Sequence, residues 1–313
     1  MQNIISVVDE YQGLVAYLCT VGLGFFLQKS SLITPALTLF LSKSLVRFLF
    51  PCLIFSSIIQ QYSRNSLLQS WHLPFGAMAI LTLGLVLGMP LRRFWTTFPV
   101  KDQHTFQFMT IMPNYIFLPL PICQALWGEE AVAVLVFSSL GSEVMLWLIA
   151  VPLLGGQRGK IRNLLTPPMF ALGASLGLVL AGKPQSAQAL MDLAPVMTQI
   201  GQACVPVSLF LLGCHFGRTT LPLSQGSHWT IAAFRLLLIP LVSIVLLRLS
   251  SLPILHQQVL FLVSTMPPAV ASVIMSEIYN GNPRLAAEQV MFAHLLSVLT
   301  ITFWLYYGLN FLS

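Results

Sequence analysis

Apolar and polar positions alternate along this chain in long blocks. Runs of mostly apolar residues recur near 11–28, 36–60, 73–91, 105–127, 131–152, 163–182, 195–214, 229–249, 256–279 and 286–309. Each has about the 20 residues that a helix needs to cross a bilayer. The polar stretches between them are short, so the pattern predicts ten spans in one integral membrane domain with no soluble domain attached. The second half also repeats the first. Met112-Pro113-Asn114 returns as Met266-Pro267-Pro268, an offset of 267 − 113 = 154, and Pro51 returns as Pro206, an offset of 206 − 51 = 155. The expected repeats are 1–154 and 155–313. Each holds an odd number of spans, so the second copy is predicted to lie upside down relative to the first. Inverted repeats with proline-broken helices mark secondary transporters, whose sites lie where the broken helices meet.

Composition sharpens this picture. The chain of 313 residues is 56% hydrophobic and 8% charged, with a mean hydropathy of +0.83. Soluble domains carry about 25% charged residues, so lipid is the expected solvent. The net charge of +6 is spread over span ends and forms no dense patch, which gives nucleic-acid binding no support. With the N-terminus outside, the inner ends hold Lys29, Lys43, Arg47, Arg92, Arg93, Lys101, Arg158, Lys160, Arg162, Arg218 and Arg284. The outer side keeps Arg64, Lys183 and Arg248, leaving Arg235 within a span. The positive-inside rule then predicts both termini on the non-cytoplasmic side of a cell membrane. Asp9 and Glu10 precede the first basic residue, Lys29, so the first span reads as an uncleaved one. Cys19, Cys52, Cys123, Cys204 and Cys214 show no metal-type spacing and read as apolar fillers; no cofactor or metal is expected.

The fourth span carries Pro113, Pro119 and Pro121, and the ninth carries Pro267 and Pro268. Proline lacks the amide hydrogen and its ring clashes with the carbonyl four residues back. The carbonyls of Met109, Tyr115, Phe117, Val263 and Ser264 should therefore leave the helical ladder. Irregular backbone at membrane depth is tolerated only inside protein or beside a wet cavity. Single prolines often do no more than kink a span, but clusters at matching repeat positions predict two unwound helices crossing at a central site. The N-terminal ends of the half-helices would favour an anion there. Asn114 at the break, with Gln124 and Ser272 as further uncharged partners, suits a small organic anion or weak acid; an asparagine can equally cap a broken helix.

Other ionisable groups lie within the spans. Glu143, midway along the fifth, is either a proton-coupling group or a hydrogen-bonded neutral acid, since a carboxyl in lipid is costly. Arg235 could pair with a substrate carboxylate or with Glu143, but an arginine near a span end usually snorkels to the interface. Glu277 lies near the inner end of the ninth span. His294 in the tenth could shuttle protons or simply pack with a hydrogen bond. The small-residue runs Gly173–Gly177 and Ala286-Ala287 suggest close helix packing, and Trp71, Trp95, Trp127, Trp229 and Tyr306 suggest interface anchors.

These residues resemble a known family. Asn114-Tyr-Ile-Phe-Leu-Pro-Leu-Pro121 through Leu126-Trp-Gly128 is similar to the fourth-span motif of the auxin efflux carrier family. Val205-Pro-Val-Ser-Leu-Phe-Leu-Leu-Gly213, Met266-Pro-Pro-Ala-Val270 through Glu277-x-Tyr279 and, more weakly, Phe50-Pro-Cys-Leu-Ile-Phe55 extend the likeness over essentially the whole chain. The resemblance implies an all-α bundle of ten transmembrane helices with crossing fourth and ninth helices, similar in fold to bile-acid symporters and sodium/proton antiporters. It implies export or permeation of organic anions, a site that includes Asn114, Pro121 and Pro267 or Pro268, and a plausible homodimer. Two positions depart from the family pattern: Pro119 replaces a usual glycine, and Ala271 replaces an asparagine common in bacterial members.

The leading expectation is an outward carrier of a small organic anion working by alternating access. A sodium-coupled importer of the bile-acid type would normally present several acidic, amide and backbone oxygen ligands, and acidic ones are sparse here. A membrane receptor would bind without flux. An enzyme is not expected, because no HExxH, CxxC or paired aspartates occur in the chain, and the one GxSxG match, Gly173–Gly177, lies within an apolar run read as helix packing.

Overall fold

Proline sets where several helices begin. Its ring presets φ, and its missing N–H is no loss in a first helical turn. Pro35, Pro119, Pro167 and Pro195 stand in the first two positions of their helices, and Pro283 opens the last one.

The computed structural model describes residues 19–92, 99–155, 166–183, 188–218 and 226–312. Asp9, Glu10, Arg93, Trp95, Arg158, Lys160, Arg162 and the start of the expected first span lie outside the described residues. In chain order the helices longer than four residues are α1 (19–29), α2 (35–61), α3 (Arg64–Gln69), α4 (His72–Arg92), α5 (Val100–Ile111), α6 (119–127) and α7 (129–155). There follow α8 (Pro167–Leu180), α9 (Ala194–Gln202), α10 (Cys204–Arg218), α11 (226–248), α12 (Ile254–Thr265), α13 (Ala271–Ile278) and α14 (Pro283–Leu312). The described residues are helical apart from turns and one isolated bridge, Pro113 with Pro268.

Six helical stretches are long and apolar enough to cross a membrane by length and composition: Ala36–Gln61, Arg64–Pro90, Pro119–Gly155, Ala194–Arg218, His228–Arg248 and Pro283–Leu312. Pro167–Leu180 and Ile254–Thr265 are shorter apolar helices. The stretch Pro119–Gly155 is not one rod. Gly128 breaks it with φ 71° and ψ −160°, a conformation essentially reserved for glycine. Large apolar side chains such as Phe26, Phe40, Phe75, Leu299 and Tyr306 are exposed, as lipid-facing residues are.

Interior prolines leave a second signature. Leu45–Leu49, Leu146–Ala150 and Phe234–Leu238 are π-helical turns, and each is followed two residues later by Pro51, Pro152 or Pro240. The residue just before each proline donates its N–H five residues back, to Leu45, Leu146 or Phe234. The wide turn lets the chain absorb a missing donor without ending the helix.

The chain forms two compact units. The first comprises Met1–Ser70, Leu120–Val136 and Thr166–Thr219. In it α2 packs along α8 and α9. Gly201 permits the α2–α9 approach, since a Cβ there would sit 2.7 Å from the Leu53 Cα. Lys183 donates to the Ile59 carbonyl at 2.7 Å, and Arg218 to Thr38 Oγ1 at 2.6 Å. The close packing expected through Gly173–Gly177 is not found. A Cβ on Gly173 or Gly177 meets no described atom within 4 Å, because α8 buries Leu172, Ser175, Leu176 and Val179 instead.

The second unit comprises Trp71–Pro119, Phe137–Leu165 and Thr220–Ser313. Its core joins Phe106 and Met109 of α5, Ile231 of α11, and Leu285 and Ala286 of α14, with Val273 of α13 packed against them. Asn282 ties two helix starts together. Its Oδ1 accepts from Leu285 N–H at 3.1 Å, capping α14, while its Nδ2 donates to Asp102 at 2.7 Å and its N–H to Thr105 Oγ1 at 2.8 Å.

Candidate functional site

Both expected breaks are present, and both lie in the second unit. Helix α5 ends at Ile111 and Met112 turns extended (φ −97°, ψ 100°); α12 ends at Thr265 and Met266 does the same (φ −71°, ψ 143°). The two extended segments meet antiparallel. Asn114 N–H donates to the Pro267 carbonyl at 2.8 Å, and Ala269 N–H donates to the Met112 carbonyl at 3.0 Å. Pro113 and Pro268 face each other between these bonds. This is the non-hydrogen-bonded position of an antiparallel pair, the place where a residue needs no N–H. Two prolines therefore fit there without leaving an amide orphaned.

The contact pairs Pro113 with Pro268, not with Pro267. One offset exchanges the two bonds: 267 − 112 = 155, 268 − 113 = 155 and 269 − 114 = 155. Asn114 and Ala269 supply the two donors, so a side-chain amide stands on one arm only. The carbonyls that pair across the joint are those of Met112 and Pro267, not those singled out by the proline rule. Val263 keeps a partner, the N–H of Met266, at 3.3 Å.

Asn114 is buried, and its Nδ2 lies 3.5 Å from His294 Nε2. His294 Nδ1 is 2.7 Å from the Val290 carbonyl. A carbonyl can only accept, so Nδ1 donates and the neutral ring offers Nε2 to the Asn114 amide. Helix α14 thereby orients the asparagine. One residue on, Tyr115 donates its hydroxyl to Glu143 Oε1 at 2.7 Å, while Trp147 donates to Glu143 Oε2 at 3.0 Å. Neither Tyr115 nor Trp147 stood out in the sequence. Trp147 was findable, because it sits four residues from Glu143 on the same helix.

Arg235 does not snorkel. It is fully buried in the π-turn of α11, and its Nε donates to the Met266 carbonyl at 3.2 Å. The π-turn before Pro240 points it inward. It is not paired with Glu143 either; among the described residues Arg284 pairs with Glu288, and His228 Nε2 lies 3.6 Å from the same carboxylate. Ser272 is buried in the first turn of α13 with its hydroxyl unpartnered, and Glu277 of the same helix is exposed.

The remaining expected residues are placed differently. Pro119 and Pro121 lie in the first turn of α6, so they open a helix instead of lengthening the break. Gln124 belongs to the first unit and donates to Glu129 at 3.1 Å. It lines a cavity of ≈ 260 Å³ within that unit, beside Ser56, Ser57, Gln60 and Gln202.

A helical chain with several membrane-length apolar helices and a buried joint between two unwound segments defines a polytopic membrane protein. The family comparison agrees. A family model described as membrane transport protein matches residues 11–167 and 158–305. The chain belongs to this family, the auxin efflux carrier family that its motifs resemble. It is also similar to an uncharacterized transporter of Methanocaldococcus jannaschii, with 25% identity over 279 residues, 83% of this chain and 86% of that protein.

Proposed function

We propose that the protein is a secondary carrier of a small organic anion or weak acid, moving it outward across the cell membrane by alternating access. The carrying observation is the reciprocal backbone pairing of Asn114 with Pro267 and of Ala269 with Met112. It brings two helix breaks together inside the protein, at a depth where lipid could not satisfy them. Such joints form substrate sites in carriers built from inverted repeats. The single offset of 155 that exchanges the two bonds supports an architecture of ten spans in two inverted halves, 1–154 and 155–313. The distribution of basic residues supports termini on the non-cytoplasmic side.

In this reading Asn114, held by His294, and the proline-flanked strands form the substrate site. Glu143, held by Tyr115 and Trp147, is the candidate proton-coupling group. The test is flux of labelled indole acids and small dicarboxylates into proteoliposomes, under no gradient, a pH gradient and a sodium gradient. Saturable flux of at least one acid is expected, lost in Asn114→Ala although that variant folds. Flux unchanged in the variant would remove the joint from the mechanism. Saturable binding with no flux would favour a receptor.

A further inference from the structure

Arg235 carries more donors than its structural role uses. Its Nε holds the Met266 carbonyl, while Nη1 and Nη2 are buried with no hydrogen-bond partner. A guanidinium cannot be neutralised by losing a proton, so its charge persists. Burying such a charge without an acid beside it is strongly unfavourable. A carbonyl alone can be held by an uncharged donor, so satisfying Met266 does not explain an arginine.

The position points the charge at the joint. Met266 and Pro267 are neighbours, and their carbonyls take Arg235 and Asn114 respectively. Ile231, one turn earlier on α11, shares a core cluster with Met109 of α5, and Val273 of α13 packs against that cluster; these are the helices that enter and leave the two breaks. Ser272 and Ser276 of α13 and Gln289 of α14 also bury side-chain oxygens without partners. The same helices therefore carry a fixed positive charge and several neutral polar groups with unused hydrogen-bonding capacity.

We infer that Arg235 is a specificity-determining residue that supplies the counter-charge for the carboxylate of the carried acid. With Nε committed to Met266, the two Nη groups present an end-on fork that matches the two oxygens of a carboxylate. An isosteric amide has one oxygen and no charge, so it is rejected. This inference rests on the anion-carrier reading and deepens it.

The experiment has two arms. In the first, the thermal midpoint of the reconstituted protein is followed in acetate and in acetamide at constant ionic strength, for wild type, Arg235→Lys and Arg235→Gln. Acetate is expected to raise the midpoint of wild type, to raise it less in Arg235→Lys, and to leave Arg235→Gln unmoved; acetamide should act on none. In the second arm, flux of indole-3-acetate is compared with that of indole-3-acetamide. The wild-type preference for the acid should fall about tenfold or more in Arg235→Gln. If Arg235→Gln does not fold, the weakened acetate response of Arg235→Lys decides. An equal response of wild type and Arg235→Lys, an acetate response retained by Arg235→Gln, or none in wild type overturns the inference. Acid flux that persists with an unchanged acid preference in Arg235→Gln leaves the carrier standing and removes only the arginine.

Discussion

Tyr115 donates its hydroxyl to Glu143 at 2.7 Å, joining the residue next to Asn114 to a carboxyl midway along α7. The bond links a helix break to a group that the sequence marks for its own chemistry. Tyr115→Phe keeps the ring and deletes the donor. It should cost about 1–3 kcal/mol, the range for leaving a buried polar group short of a partner. A double-mutant cycle with Glu143→Leu, which removes the acceptor, read by thermal or denaturant unfolding, should show a coupling of about 0.5–3 kcal/mol. Additive effects would mean the bond contributes nothing.

His294 orients Asn114 through one long hydrogen bond. Replacing it by phenylalanine should therefore weaken transport without abolishing it. One neutral hydrogen bond is worth about 1 kcal/mol, roughly fivefold in the half-saturating concentration of a carried acid. A loss as complete as that of Asn114→Ala would instead place the imidazole on the substrate itself.

Gly128 separates α6 from α7 in a conformation that side chains avoid. Gly128→Ala has open space around its Cβ, so only the backbone opposes it. The expected cost is about 1–3 kcal/mol, seen as a lower unfolding midpoint. By contrast, Gly173→Ala on the open face of α8 should stabilise the protein by about 0.5–1 kcal/mol. A destabilising Gly173→Ala would reveal a partner surface on that face.

Asn282 holds the start of α14 and reaches Asp102 at the start of α5. Asn282→Ala removes the cap and that bond together. A loss of about 1–2 kcal/mol is expected, while Asn282→Asp, which can still cap but cannot donate to Asp102, should resemble alanine only if the cross-helix bond dominates.

Much of this architecture could be read from the chain, because its causes are local. Membrane-length apolar runs, the proline clusters at 113 and 267–268, and the helix starts at prolines all follow from single-residue chemistry. Met112-Pro113 and Met266-Pro267 look alike in the chain, whereas the hydrogen bonding makes Pro268 the partner of Pro113. Arg235 was misjudged for a different reason. Whether an arginine snorkels or turns inward depends on the local twist, and the π-turn before Pro240 changes that twist. Gln124 falls in the first unit, whereas the two breaks fall in the second, a division that sequence distance alone does not mark. Tyr115 needed the tertiary structure, since its partner lies 28 residues away.

The joint between the two breaks is written in main-chain atoms: two amides, two carbonyls and a pair of facing prolines. Side chains around it can therefore be exchanged over generations without dismantling the crossing. Descendants of one ancestral carrier can keep the same mechanical centre while drifting from one cargo to another. Position 269, an alanine that holds the Met112 carbonyl through its N–H alone, is a place where such drift is open.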